Sequence, residues 1–173
     1  MTEDVLAEFL EQPHNGVIAT LRADGRPYTV PIWWLWEPDP SATPLSAGRH
    51  AYPGGSLWLT GTTTRVWCRQ LQADPRASLC IESGPPIVGH VGFDGRCESL
   101  LAEEHDIWPM SRRLVEKYVG RGDPANDSAV DSFFANMLTE PRMLFRIWPE
   151  VVRAIDMRVY RGKRADRMAE GAS

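Results

Sequence analysis

The sequence predicts a mainly β protein with helical additions (α+β), an antiparallel barrel or sandwich rather than a doubly wound sheet. Three observations carry that expectation. Six or seven short apolar runs of strand type punctuate the chain. Most neighbouring runs are joined by hairpin-length connections, with helical segments inserted between some of them. No G-x-G-x-x-G follows the first strand and no G-x-x-x-x-G-K-S/T occurs, so nothing supports a dinucleotide-binding or P-loop fold.

The elements read in order as follows. Residues 3–12 form an amphipathic helix stopped by Pro13-His14-Asn15-Gly16. Val17–Leu21 is a compact apolar strand, and Asp24-Gly25 after it is a strong hairpin signal. The second strand runs from Pro27 to Trp36; Pro31 cannot donate to a ladder, so this strand lies at an edge or turns its N–H side to something other than a neighbouring strand. Residues 37–55, with four prolines and three glycines, read as a surface loop. Ser56–Thr60 is a third strand, and Gly61-Thr62-Thr63-Thr64 leads into a short helix over Arg65–Ala73 with a Thr cap. Strands follow at Ala77–Glu82 and Ile87–Glu98, the second interrupted by glycines between Gly92 and Gly95. Residues 99–120 read as a helix kinked at Pro109, and Ser128–Leu138 as another helix. Strands at Arg142–Trp148 and Val151–Ile155 flank Pro149-Glu150. Residues 1–160 make one domain, and 161–173 a polar C-terminal tail.

Composition narrows the function. The formal charge is −4 over 173 residues, which argues against a general nucleic-acid binder. No window approaches 18 consecutive apolar residues and the N-terminus is acidic, so no membrane span or signal peptide is expected and the location is cytoplasmic. Three cysteines without a C-x-x-C motif suggest neither a disulfide framework nor a zinc site. The four histidines form no H-E-x-x-H, and no G-x-S-x-G marks a hydrolase serine. The cations are 17 Arg against only Lys117 and Lys163, and there are seven Trp, a number that calls for a large core or a binding surface.

Two stretches carry chemical promise. Thr60-Gly61-Thr62-Thr63-Thr64-Arg65 joins a strand end, hydroxyls and a helix start, and backbone N–H groups at a helix start attract anions. Arg65 and Arg69 can add a bidentate fork for a phosphate; the alternative is a simple helix cap beside a solvated Arg. In the strand from Arg26 to Trp36, Tyr28, Val30, Ile32 and Trp34 share one face, and Thr29, Pro31, Trp33 and Leu35 the other. Both faces are apolar, so one is core and the other needs a second subunit or a flat ligand, unless the strand is simply buried on both sides.

The order of these motifs resembles the pyridoxamine 5′-phosphate oxidase-like split-barrel family of flavin- and deazaflavin-dependent oxidoreductases. The likeness rests on Arg26-Pro27 with Pro31-Ile32-Trp33 after an Asp-Gly hairpin, the Thr-rich turn, and a helix closing in Leu71, Asp74-Pro75-Arg76 and Ser78-Leu79. It continues through Pro85-Pro86, Gly95-Arg96-Cys97-Glu98, the helix with Tyr118, and Arg146 to Asp156, covering residues 5–156. The resemblance implies a six- to seven-stranded antiparallel split β-barrel. It also implies a homodimer with FMN in a cleft between subunits and a small-molecule substrate. The flavin ring would lie against Val30, Pro31, Ile32 and Trp33. Its phosphate would be held by Thr60, Thr62, Thr63, Thr64 and Arg65 with the following helix.

One position departs from the family. Where it commonly carries Lys, eight residues before the proline of the Asp-Pro pair, this chain has Trp67, so Arg65 or Arg69 would have to serve the phosphate. An alternative on the same fold is the deazaflavin coenzyme F-420, whose anionic tail would draw on Arg22, Arg49, Arg69 or Arg161–Arg167. Another is a dimer that binds flavin or haem without turnover.

Overall fold

The computed structural model describes residues 1–47 and 50–160. In chain order the elements are α1 (Glu3–Glu11), β1 (Gly16–Leu21), β2 (Pro27–Ile32), β3 (Leu35–Pro38), β4 (Leu45–Ala47), β5 (His50–Tyr52), β6 (Gly55–Thr62), α2 (Val66–Ala73), β7 (Arg76–Ser83) and β8 (Gly89–Leu101). There follow α3 (Trp108–Val115), a π-helical turn (Glu116–Gly120), α4 (Asp127–Met137) and β9 (Arg142–Asp156).

Seven strands form one sheet in the order β2-β1-β7-β8-β9-β6-β3, with every recorded pairing antiparallel. The two edge strands, β2 and β3, are separated in the chain only by Trp33-Trp34. Two residues span about 7 Å, so the sheet must curl until its edges meet at that corner. This is a split β-barrel arrangement, its two edge strands joined at the seam corner by the chain itself and not by a ladder.

The sequence expectation of one strand from Pro27 to Trp36 therefore needs correcting. Its two halves belong to opposite edges of the sheet, and Trp34, fully buried, is the pivot between them. Pro31 does sit in an edge strand, opposite Val17 of β1. Tyr28, Val30 and Ile32 point inward, whereas Thr29 and Pro31 are exposed.

Other boundaries moved for local reasons. The 37–55 segment is not all loop, because β4 and β5 pair as a hairpin within it. β8 runs through its glycines without a break. A register shift at Asp94/Gly95 bulges Glu150 out of β9, which lets Pro149 sit inside one continuous strand. Residues 99–101 are strand, and Pro109 does not kink a helix; it occupies the first turn of α3, where a missing N–H costs nothing. The Asp24-Gly25 turn forms as expected, with Gly25 at φ 81°.

The barrel core is filled by Ile18, Leu57, Leu59, Leu79, Ile81, Val91, Phe93, Phe145 and Ile147, all at most 1% exposed. Each such side chain contributes about 1.5–3 kcal/mol by leaving water. Leu6, Phe9 and Leu10 of α1 join this core, while Val115, Val130 and Met137 form a small satellite core between the helices. Of the tryptophans, Trp58 is only half-buried. The Arg146 guanidinium lies 4.9 Å from its ring and 3.6 Å from that of Trp148.

Candidate functional site

The barrel corner is held by one phenol. The Trp34 backbone N–H donates to Tyr118 Oη at 3.1 Å, and the Tyr118 hydroxyl lies 2.8 Å from the His14 carbonyl, to which it donates. The Trp34 indole N–H donates to the same carbonyl at 2.7 Å. Burial pushes the Tyr118 phenol above its ordinary pKa, so it stays protonated and keeps donating. Trp33 stacks on Tyr118 with ring centroids 4.9 Å apart and planes 6° apart, and Phe133 of α4 tilts against it at 5.4 Å.

Beside this corner lies a cavity of about 350 Å³, near the lower end of the roughly 300–1,000 Å³ usual for small-molecule sites. Asn15, Pro31, Ile32 and Trp33 form one wall, and Leu114, Val115, Phe133 and Met137 another. Thr60, Gly61, Arg65, Trp67 and Arg142 complete it. Of the sequence candidates, the fold brings together Pro31, Ile32, Trp33, Thr60, Arg65 and Trp67. Val30 packs into the core, and Thr62, Thr63, Thr64 and Arg69 lie outside the lining.

The start of α2 differs from expectation. Its N-cap is Arg65, not a threonine, and no side chain caps it. The hydroxyls of Thr62 and Thr64 face each other at 3.2 Å, so neither is turned to the helix end. Among the described residues the N–H groups of Val66, Trp67 and Cys68 have no recorded acceptor. Three free donors and the positive end of the helix dipole therefore sit next to Arg65.

Arg142 is the functional candidate that sequence reasoning missed. It stands opposite Thr62 in the β6–β9 ladder, is only 14% exposed, and pairs with Glu140 at 2.5 Å. Its signal was an arginine opening a run as apolar as Met143-Leu144-Phe145, where a charge needs a reason. Phe133 and Met137 were also missed; four residues apart on α4, they share one helix face.

Trp67 is core as well as lining. It is 4% exposed, and its ring centroid lies 5.0 Å from that of Phe145. Cys68 beside it is fully buried, and burial pushes its thiol up to about 12 despite the charges of Arg65 and Arg142. An inert thiol results. Among the described residues no group of three or more His, Cys, Asp or Glu is placed to hold a metal.

This geometry joins an anion-ready end to an apolar slot at the edge of a split barrel, and comparison with known proteins places the fold. Residues 2–156 match the family described as pyridoxamine 5′-phosphate oxidase. The chain belongs to that family. Solved structures of the same fold include a conserved hypothetical protein from Mycobacterium tuberculosis, 24% identical over 91% of this chain and 86% of that one, with a TM-score of 0.61. An F420 reductase is 21% identical over 84% and 94%, with a TM-score of 0.55. The haem storage protein HutZ of Vibrio cholerae is 16% identical over 89% and 95%, with a TM-score of 0.58. At these identities the likeness is one of fold. No curated protein matches the chain. The cavity's two cations are Arg65 and Arg142. No helix among the described residues is long and apolar enough to cross a membrane.

Proposed function

We propose that this member of the pyridoxamine 5′-phosphate oxidase family is a cytoplasmic FMN-binding oxidoreductase of a small-molecule substrate. The observation that carries the reading is the pairing, in one cavity, of a cationic end with an apolar slot. Arg65, Arg142 and the free N–H groups of α2 suit a phosphate, since charge-assisted contacts to guanidinium and to a helix start are among the stronger ones available. Pro31, Ile32 and Trp33 suit the flat face or edge of a flavin ring. A bound flavin supplies the redox chemistry, while the protein orients it and sets its electrostatics.

Trp67 cannot replace an ammonium. Its part in this reading is steric: it closes the cavity floor against Gly61 and leaves the charge to the two arginines. Glu140 accepts from both Nε and Nη2 of Arg142, which fixes the guanidinium and leaves Nη1 as the donor for a phosphate. Arg69, outside the lining, has no direct role.

The protein acts as a homodimer in this reading. The outer face of β1, β7, β8 and β9 exposes Val17 and Cys80 and carries a cross-strand chain in which Ser78 donates to Asp94 at 2.7 Å and Arg153 pairs with Asp94 at 2.6 Å. A largely apolar concavity with a neutralised charge pair suits a second subunit.

The coenzyme F-420 reading uses the same cavity. Of the cations suggested for its tail, Arg22 lies over the Tyr28 ring and Arg69 is exposed, whereas Arg49 and Arg161–Arg167 lie outside the described residues. A haem would find Met137 but no histidine in the lining, which favours a flavin. Parallel titrations with FMN, F-420 and haemin test the choice. FMN is expected to bind at least tenfold more tightly than either, about 1.4 kcal/mol; a protein that leaves FMN fluorescence unchanged refutes it.

A further inference from the structure

A second cavity, of about 540 Å³, opens between the end of α1, β3 and the π-helical turn, and shares no lining residue with the first. Leu10, Leu35 and Trp36 give it an apolar surface, and Arg113, Lys117 and Arg121 bring three cations to it. Arg113 is engaged with Glu37 at 2.6 Å, which leaves Lys117 and Arg121 facing a single further carboxylate, Glu11.

Both remaining cations are under-used. The Lys117 ammonium has three donors, and among the described residues its one recorded acceptor is the Leu10 carbonyl at 2.7 Å. It also sits 3.7 Å from the centroid of the Trp34 ring. Among the described residues Arg121 spends only its Nε, which donates to the Tyr118 carbonyl at 3.2 Å. The backbone around them is unusual too. Lys117 lies in a π-helical turn, a rare form that gathers at functional sites. Arg121 ends that turn with φ 53°, a left-handed position that glycine fills far more comfortably, and Gly122 beside it has φ 70°. An arginine kept there against that preference needs a reason on the side-chain end.

We propose that this second cavity binds a small organic carboxylate with an apolar body, its carboxylate held by Lys117 and Arg121 and its body resting on Trp36 and Leu35. A carboxylate completes the donor set of Lys117 and matches the guanidinium fork of Arg121. Burial holds the Lys117 ammonium down to about 8, as expected of a cation short of counter-charge. The inference goes beyond the flavin reading and does not depend on it.

Calorimetric titration of the whole protein at pH 7 with phenylacetate, and with uncharged 2-phenylethanol as its analogue, tests the site. Phenylacetate should bind at least tenfold more tightly than the alcohol. Arg121→Gly should melt no lower than the wild type, because it relieves the left-handed position, yet weaken phenylacetate about tenfold. Lys117→Met should weaken it similarly, and Arg121→Gly should leave FMN affinity unchanged. Saturating FMN should not displace phenylacetate. No binding, equal binding of the alcohol, undiminished affinity in Arg121→Gly, or competition with FMN would each overturn the proposal. Failure of the flavin reading appears separately, as absent FMN binding.

Discussion

A Cβ built on Gly61 would lie 2.5 Å from Cζ2 of Trp67 and 2.6 Å from Sγ of Cys68. The glycine and the indole are thus one design: the large ring fits the cavity floor only because residue 61 has no side chain. Gly61→Ala is expected to destabilise the protein by about 1–3 kcal/mol through overpacking. The midpoint of urea denaturation reads this directly, and an unshifted midpoint would mean that Trp67 is not packed there.

Tyr118 closes the barrel seam, and that role is separable from its aromatic stacking. Tyr118→Phe keeps the ring against Trp33 but removes the acceptor for the buried Trp34 N–H and one donor to the His14 carbonyl. A loss of about 1–3 kcal/mol is expected for leaving such a buried group unpaired. Equilibrium denaturation of the two proteins measures it.

The thiols report both burial and assembly. Burial pushes Cys68 and Cys97 up to about 12, so in the folded chain they stay protonated at pH 9, where an unfolded thiol is half ionised. Their contribution to stability is complete below pH 9 and is lost as pH rises towards 12. A thiol reagent at pH 8–9 should therefore spare both in the native protein and reach all three cysteines in denaturant. Cys80 is exposed in the single chain, on the face proposed for the dimer. It should be protected at concentrations where sedimentation shows a dimer and become reactive on dilution; equal reactivity at both would exclude that face.

The features legible in the sequence were those with a local cause. Asp24-Gly25 makes its own turn, and Pro31 forbids a central strand wherever it lies. What escaped was set by distant contacts. Nothing local in Trp33-Trp34 marks a break, since the apolar pattern continues into Leu35 and Trp36; the break is imposed by Tyr118, more than eighty residues away. Pro149 reads as a strand end until the bulge opposite Gly95 is seen. Pro109 looks like a kink because Ile107, at the N-cap position, is apolar and marks no helix start. The site divided in the same way. The helix start and Arg65 were visible as a contiguous motif, whereas Arg142 reaches the cavity through the β6–β9 ladder, which no local spacing reveals.

The central claim is that this cavity holds a flavin by its phosphate, and comparing FMN with riboflavin in wild type and Arg142→Ala tests it most directly. Fluorescence titration should show FMN binding at least tenfold more tightly than riboflavin to the wild type. That preference should collapse towards unity in Arg142→Ala and in Arg65→Ala, and persist in Arg69→Ala. Equal affinity for the two flavins in the wild type, or a phosphate preference untouched by loss of Arg65 and of Arg142, would contradict the account.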